Sequence, residues 1–263
     1  MDTLEGKMST LEIVQIPVLR DNYLYLAHDP ATGATAAIDP AVTGPTLAAL
    51  EARGWKLSHI LNTHHHFDHV GANLELKAAT GCTIVGPDVD AERIPGIDVR
   101  VKDGEQIRLG EAEATVFFVP GHTRGHIAYH FPESHALFSG DTVFSIGCGR
   151  LFEGTPAQMW RSISRLRALP GETWIYGAHE YTTSNIRFAQ SIEPDHPALS
   201  ARAREVADLR ARDLPTVPST IAMETAANPF FRADDPVLQR AVGMLGADPT
   251  AVFGEVRSRK DSF

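Results

Sequence analysis

The sequence predicts an α/β protein in which two β-sheets pack together with helices outside, followed by a helical C-terminal region. Three observations support this prediction. From residue 13 to residue 178, short β-prone runs alternate with stretches of helical apolar spacing. Four β-prone runs are each followed by histidine or aspartate, as when strands deliver side chains to one rim. After His179 the chain becomes helical and rich in arginine and alanine, with no convincing strand.

The N-terminal part is predicted to begin with a hairpin. Residues 13–19 and 22–28 are β-prone runs separated by Arg20-Asp21, and a third strand covers residues 34–38. A helix is predicted over residues 43–53, with Pro45 near its first turn and Gly54 at its end. A strand over residues 57–61, a helix over 71–79 and a strand over 82–85 follow. Residues 86–106 are rich in glycine and proline and are predicted to be mostly loop.

The remaining strands are predicted at residues 106–109, 114–119, 126–131, 136–138 and 173–178. A helix over residues 156–169 carries an apolar stripe of Met159, Ile163 and Leu166. Further helices are predicted at residues 182–191, 198–211, 220–226 and 236–245. We therefore place a domain boundary near residue 180, so that residues 1–180 form the α/β domain and residues 181–263 form a small helical domain.

The composition is that of an ordinary globular protein and disfavours two classes of partner. Of the 263 residues, 43% are hydrophobic and 22% are charged. No apolar run approaches the roughly 20 residues that span a bilayer, so no membrane partner is expected. The net charge of −9 disfavours nucleic acid as the main partner.

The N-terminus lacks the basic start and apolar core of a signal peptide. Met8 is a possible alternative start, so residues 1–7 are predicted to be a dispensable extension. We therefore expect a cytoplasmic protein, with the monomer as the default oligomeric state.

A cluster of metal-binding residue types follows the strand predicted at residues 57–61. His64, His66, Asp68 and His69 lie within six residues, which would diverge on a helix but can converge where a strand becomes a loop. Imidazole and carboxylate together suit zinc, iron or manganese. A polar loop with a chance histidine cluster is the competing interpretation.

Three later residues occur in matching positions, each after a β-prone run. They are His122, Asp141 and His179. Each of them alone would more often be structural, but together with the first cluster they predict a metal site. Seven ligands exceed the three or four protein ligands of one open catalytic site, so two metal ions are favoured.

The pattern T-H-x-H-x-D-H, followed by G-H-T, G-D and a last histidine, resembles the metallo-β-lactamase-fold hydrolases. A narrower set of motifs resembles glyoxalase II, also called hydroxyacylglutathione hydrolase, over nearly the whole chain. These motifs are Asp21-Asn22-Tyr23, Gly147-Cys148-Gly149-Arg150, Glu153-Gly154-Thr155, His179-Glu180-Tyr181, Asn228-Pro229-Phe230 and the C-terminal Arg257-Ser258-Arg259-Lys260-Asp261.

The resemblance implies a four-layer αββα metallo-β-lactamase sandwich, with the C-terminal helical domain binding substrate. It places His64, His66 and His122 on one metal ion. It places Asp68, His69 and His179 on the second, with Asp141 bridging the two. Zinc is the expected metal, and iron and manganese are also compatible with these ligands. Asp39 is expected to brace the metal loop through hydrogen bonds.

The implied reaction is the hydrolysis of glutathione thioesters such as S-D-lactoylglutathione to D-lactate and glutathione, a step in methylglyoxal detoxification. A hydroxide that bridges the two metal ions attacks the thioester carbonyl. Asp68 and Asp141 are the expected catalytic residues, since Asp141 bridges the metals and Asp68 can orient the hydroxide.

The substrate-binding residues come from the same resemblance. Arg257 and Lys260 match positions that bind the glycine carboxylate of glutathione, and Arg150 and Tyr181 match further glutathione contacts. Arg150 stands where some relatives have lysine, and Phe152 stands where some have tyrosine, so a hydroxyl contact is lost. Arg124 replaces a small residue.

Two alternatives remain. One is a glutathione persulfide dioxygenase, which has the same fold and a single iron; residues 181–263 and the Asn228-Pro229-Phe230 motif argue against it. The other is a metal-binding module without turnover. The presence of all seven ligands argues against this second alternative.

Overall fold

Two six-stranded sheets form the centre of the computed structural model, which describes residues 10–263. The predicted extension over residues 1–7 lies outside the described residues. The first sheet has the strand order β1-β2-β3-β4-β5-β6. Its strands are β1 (Glu12–Val18), β2 (Asn22–His28), β3 (Thr35–Ile38), β4 (His59–Leu61), β5 (Thr83–Pro87) and β6 (Val99–Val101). Between them lie α1 (Thr43–Glu51), α2 (Phe67–Val70) and α3 (Asn73–Thr80).

The next segment supplies most of the second sheet and a small hairpin. Its strands are β7 (Gln106–Leu109), β8 (Ala112–Phe118), β9 (Ile127–Phe131), β10 (Ala136–Gly140), β11 (Val143–Phe144), β12 (Gly147–Cys148) and β13 (Trp174–Gly177), and α4 (Pro156–Arg167) precedes β13. The second sheet has the strand order β13-β10-β9-β8-β7, extended beside β13 by a two-residue strand of the C-terminal segment, and β11 pairs with β12 in the hairpin.

The C-terminal segment is mainly helical. It consists of α5 (Thr182–Ile192), α6 (Pro197–Ala211), β14 (Ser219–Thr220), α7 (Ile221–Ala227), α8 (Pro236–Ala241) and α9 (Pro249–Asp261). Helix α4 and the C-terminal helices pack on the outer face of the second sheet, where Leu137 meets Ile163 and Phe253 in one apolar cluster.

The two sheets bury their inner faces against each other. Tyr25 and Ile38 of the first sheet pack with Tyr129, Phe131 and Phe138 of the second. On the outer face of the first sheet, Leu50 of α1 and Leu76 of α3 cover the central strands. The layers therefore run helix, sheet, sheet, helix, and the predicted four-layer αββα fold is confirmed.

Some elements differ from the predictions. The expectation that no strand follows residue 179 is wrong, because Ser219 and Thr220 pair with β13. Two residues are too few to show the alternation that marks a strand. The segment after residue 245 forms α9, which the sequence pattern did not predict, although Asp248 caps it and Pro249 occupies its first turn. Strand β6 lies within residues 86–106, where mostly loop was expected.

The turn between β1 and β2 is held against the end of β13. The Tyr23 amide donates to the Ala178 carbonyl at 2.7 Å, and the Glu180 amide donates to the Asp21 carbonyl at 2.8 Å. These bonds bring Asp21 and Asn22 beside His179. Within residues 10–263, no helix combines the length and apolar character needed to cross a bilayer.

Candidate metal centre

The seven predicted ligands lie at one rim of the sandwich, where strands of both sheets end. Those after β4 lie in a loop and in the short helix α2. The other three follow β8, β10 and β13. The structure brings six of them together in two adjoining groups and places the seventh, Asp141, between these groups. The His64 group consists of His64, His66 and His122, and the His69 group consists of Asp68, His69 and His179.

The His64 group is an open triangle of ring nitrogens. His66 Nδ1 lies 3.1 Å from His64 Nε2 and 3.1 Å from His122 Nε2. In the His69 group, Asp68 Oδ2 lies 3.6 Å from His69 Nε2 and 3.6 Å from His179 Nε2. Within each group the ligand atoms are all within 4.8 Å of one another.

Asp141 lies between the two groups and turns one oxygen to each. Its Oδ1 is 3.3 Å from His69 Nε2 and 3.4 Å from His179 Nε2. Its Oδ2 is 3.3 Å from His122 Nε2. This is the arrangement that a carboxylate shared by two metal ions requires.

The donor atoms fit divalent metal ions. Within residues 10–263, His69 Nε2 and Asp141 Oδ1 are buried and have no hydrogen-bond partner. Unpartnered buried polar atoms are rare because their desolvation is costly. A metal ion bound by both atoms would satisfy them, and imidazole with carboxylate is a ligand set for zinc, iron or manganese.

Asp39 fixes one side of the centre. Its Oδ2 accepts hydrogen bonds from His69 Nδ1 at 3.0 Å and from the Thr63 hydroxyl at 2.6 Å. His64 Nδ1 in turn lies 3.1 Å from Thr63 Oγ1. With both Nδ1 atoms occupied, the Nε2 lone pairs of His64 and His69 point into the site. Asp39 is therefore a positioning residue, as predicted, and its oxygens are already occupied.

The β1–β2 turn fixes the opposite side. His179 Nδ1 lies 3.1 Å from Asp21 Oδ1, and Asn22 Nδ2 donates to Asp68 Oδ2 at 2.9 Å. The Asp21-Asn22 pair belongs to a motif that the sequence analysis found, but its role in orienting ligands was not predicted. In the sequence, the Asp21-Asn22-Tyr23 motif was the only sign that these residues have a function, and it did not indicate which ligands they orient.

His126 and Arg150 orient two further ligands. The backbone amide of Asp141 donates to His126 Nε2 at 3.1 Å, and His126 Nδ1 lies 3.2 Å from Thr142 Oγ1. His122 Nδ1 donates to the Arg150 carbonyl at 2.8 Å. His126 thus supports Asp141 with both ring nitrogens occupied.

An ionic network around the buried Asp90 carboxylate accounts for Arg124 and for the direction of His65. The fully buried Asp90 carboxylate accepts from His65 Nδ1 at 3.2 Å, from Arg93 at 3.2 Å and from Arg124 at 3.4 Å. Arg93 also pairs with Glu153, which accepts from the Arg124 amide at 2.9 Å. His65 therefore faces away from the metal ligands. The network ties the loop before α2 to the loop between β8 and β9.

The electrostatics of the two groups differ. Burial, together with the neighbouring His122 and His65 rings, lowers the pKa of His66 to about 4. Burial would also lower the pKa of His69, but the Asp141 and Asp39 carboxylates raise it to about 9. The His64 group thus offers neutral imidazoles, whereas a metal ion must displace a proton to bind His69.

A cavity of about 660 Å³ opens above the centre. Its walls include all four predicted substrate-binding residues, Arg150, Tyr181, Arg257 and Lys260. The same walls contain Arg187 and Ser184, which the sequence analysis did not single out. We call this part of the cavity the cationic cleft; it is lined by Arg150, Tyr181, Ser184, Arg187, Arg257 and Lys260.

The four predicted substrate-binding residues differ in the contacts that their side chains already make within the protein. Arg257 is buried and donates to the Cys148 carbonyl at 3.1 Å and to Asp261 at 2.8 Å. Arg150 Nε lies 3.3 Å from the same Asp261. The Tyr181 ring stacks in parallel on the His179 ring, with ring centroids 4.7 Å apart. Lys260 Nζ donates to the Ser184 carbonyl at 3.2 Å.

The sandwich and its paired ligand groups define the class of protein. Residues 28–179 match the model of the Metallo-beta-lactamase superfamily. Two solved structures agree in fold. ETHE1 from Myxococcus xanthus superposes with a TM-score of 0.69 at 25% identity, covering 94% of this chain and 90% of ETHE1. TTHA1623 in a di-iron-bound form superposes with a TM-score of 0.60 at 25% identity, covering 83% of this chain and 99% of TTHA1623.

The C-terminal segment narrows this class. Residues 180–263 match the model "Hydroxyacylglutathione hydrolase C-terminus". A hydroxyacylglutathione hydrolase of Methylococcus capsulatus is 60% identical over 96% of this chain and 99% of its own length. One from Rhodospirillum rubrum is 57% identical over 97% of this chain and 100% of its own length. The chain belongs to the hydroxyacylglutathione hydrolase family. The family predicted from the sequence motifs is thereby confirmed, and the predicted enzyme class agrees with it.

Proposed function

We propose that this chain hydrolyses thioesters of glutathione, among them S-D-lactoylglutathione, to a 2-hydroxy acid and glutathione. The observation that carries the proposal is one cavity with two different walls. One wall presents members of both ligand groups together with Asp141, and the other holds cations that suit an anionic peptide. Membership of the hydroxyacylglutathione hydrolase family supports the same reaction.

We assign two divalent metal ions to the centre, one to the His64 group and one to the His69 group, with Asp141 shared. Zinc is our first choice, and iron and manganese suit the same donors. When bound, such ions lower the pKa of water and polarise a carbonyl, so no serine or cysteine nucleophile is needed.

The chain's own residues then orient and bind. Asn22 donates to Asp68 Oδ2 at 2.9 Å, which holds this carboxylate at the cavity wall. We assign Asp68 to accept a hydrogen bond from the attacking water and so to orient it toward the thioester carbonyl. Asp141 connects the two ligand groups, because Oδ1 faces His69 in one group and Oδ2 faces His122 in the other.

We assign the glutathione moiety to the cationic cleft. Arg257 and Lys260 supply positive charge for the glycine carboxylate, and Arg150 and Tyr181 supply further contacts along the peptide. In this proposal residues 1–180 carry the chemistry and residues 181–263 carry most of the substrate binding. A cytoplasmic location, a monomeric state and a role in methylglyoxal detoxification stay predictions.

The test is steady-state hydrolysis of S-D-lactoylglutathione by the purified protein before chelation, after chelation and after zinc is restored. We expect chelation to abolish the release of free glutathione and zinc to restore it. A sample carried through the same dialysis without chelator is the control. No release by metal-replete protein would contradict the proposal, and oxygen consumption with glutathione persulfide would then identify the dioxygenase alternative.

A further inference from the structure

The cations of the cationic cleft fall into two kinds. Arg257 and Arg150 share one carboxylate partner, Asp261, at 2.8 and 3.3 Å. Lys260 and Arg187 make no ion pair with any residue between positions 10 and 263. Lys260 is held by the carbonyl and hydroxyl oxygens of Ser184, at 3.2 and 3.3 Å. Two positive charges in one cavity thus lack a carboxylate partner.

These two cations come from different helices but meet at one face of α5: Arg187 belongs to α5, and Lys260 reaches it from α9. Ser184, which holds Lys260, and Arg187 are three residues apart on α5 and therefore share a face. Three residues correspond to a rise of about 4.5 Å along the helix axis. Both Lys260 and Arg187 line the cavity, so each can contact an anionic group of a ligand bound there.

Their proximity has an electrostatic cost in the free protein. Burial, followed by the nearby Arg257 and Arg187 charges, lowers the pKa of Lys260 to about 8. The chain carries a net charge of −9, and partly exposed arginines elsewhere find carboxylates, as Arg167 does with Asp234 at 2.6 Å. Unpaired cations at a cavity wall are therefore poised for an anionic ligand.

We propose that Arg187 is a specificity-determining residue that binds the γ-glutamyl carboxylate of the glutathione moiety. The assignment rests on the proposed function, in which Lys260 takes the glycine carboxylate. Glutathione carries one carboxylate at each end, so two unpaired cations match its two anionic groups. A guanidinium can bind a carboxylate through two parallel hydrogen bonds, which favours arginine at this position.

The test compares two thioesters with two proteins. The first substrate is S-D-lactoylglutathione, and the second replaces the γ-glutamyl residue by 4-aminobutyryl, which removes only that carboxylate. For Arg187→Met we expect KM for the first substrate to rise about 5- to 10-fold with kcat unchanged, because an exposed charged contact is lost from ground-state binding. With the second substrate, the variant and the parent protein should have equal KM values.

Two further variants make the test specific. Lys260→Met should show the complementary pattern. It should raise KM for S-D-lactoylglutathione but not for a thioester in which an ethylamide replaces the glycine residue and so removes the glycine carboxylate. Arg204→Met removes an exposed arginine on α6 outside the cavity, and it should leave both KM values unchanged. Arg187→Lys, which keeps the charge, should recover part of the lost affinity.

Two results would overturn the assignment of Arg187. One is an unchanged KM for S-D-lactoylglutathione in Arg187→Met, and the other is an equal rise in KM for both substrates. Failure of the parent protein to hydrolyse either thioester would instead overturn the proposed function, so the two failures are distinguishable.

Discussion

The metal centre and the cationic cleft occupy the same cavity, but they are built in opposite ways. In the centre, His64, His69 and Asp141 are buried, and Asp39 holds His69 at 3.0 Å. In the cationic cleft, Lys260 and Arg187 lack carboxylate partners among residues 10–263. Reactive groups need a fixed geometry before substrate arrives, whereas binding groups can complete their contacts with the substrate itself.

This contrast separates two kinds of mutational effect. Changes in the centre should reduce metal affinity and kcat together, because each ligand is oriented by a neighbour. Changes in the cationic cleft should raise KM and leave the metal in place, because these contacts are made in the ground state.

Asp141→Asn should have the largest effect. The variant keeps the shape of the side chain but removes the charge that faces His69, His122 and His179. Breaking a buried charge pair costs about 3–5 kcal/mol, so we expect metal affinity to fall roughly 10²- to 10⁴-fold, with hydrolysis falling at least as far. Metal content after dialysis and kcat measure this. Asp234→Asn, an exposed control, should change neither, and full metal retention by Asp141→Asn would end the idea of a shared carboxylate.

Asp39→Asn should have an intermediate effect. Asp39 has a positive φ of 49°, a conformation that asparagine tolerates, so the variant tests hydrogen bonding without adding backbone strain. Losing a partner that orients a ligand typically costs 10- to 100-fold in metal affinity, and we expect a loss of about that size. A competition titration with a chromogenic chelator measures it. Unchanged affinity would show that His69 does not depend on Asp39.

The smallest effect should come from titrating Lys260. Its ammonium has a pKa of about 8, so the charge is present below that pH and is lost above it. Binding of a substrate carboxylate should therefore weaken as the pH rises, and kcat/KM should fall above about pH 8 while kcat changes little. Lys260→Ala should raise KM about 5- to 10-fold at pH 7. In this variant KM should no longer rise as the pH passes 8, because the titrating ammonium is gone. A pH-independent KM in the parent protein would contradict this assignment.

The sequence was sufficient to predict which seven candidate ligands come together, because the signals for them are local. Four lie within six residues, and the other three each follow a β-prone run. All seven meet in the structure at the rim where strands end. The αββα arrangement of the layers needed the family resemblance, since periodicity alone does not state how two sheets pack.

Other features could not be predicted because they arise from tertiary contacts. Asp90 lies in a segment without regular periodicity, yet it joins the two loops that carry the His64 group. Arg187 is an ordinary polar residue of an amphipathic helix until α5 is placed beside Lys260. The charged end of the chain resembles a solvated tail, whereas Val252, Phe253 and Val256 anchor α9 in the core.

The most direct test of the account is a zinc titration of metal-free protein in which bound metal and S-D-lactoylglutathione hydrolysis are followed on the same sample. We predict that activity reaches its plateau when two ions are bound per chain, because Asp141 presents one oxygen to each ligand group. Full activity with one ion bound, or two bound ions without hydrolysis, would contradict it.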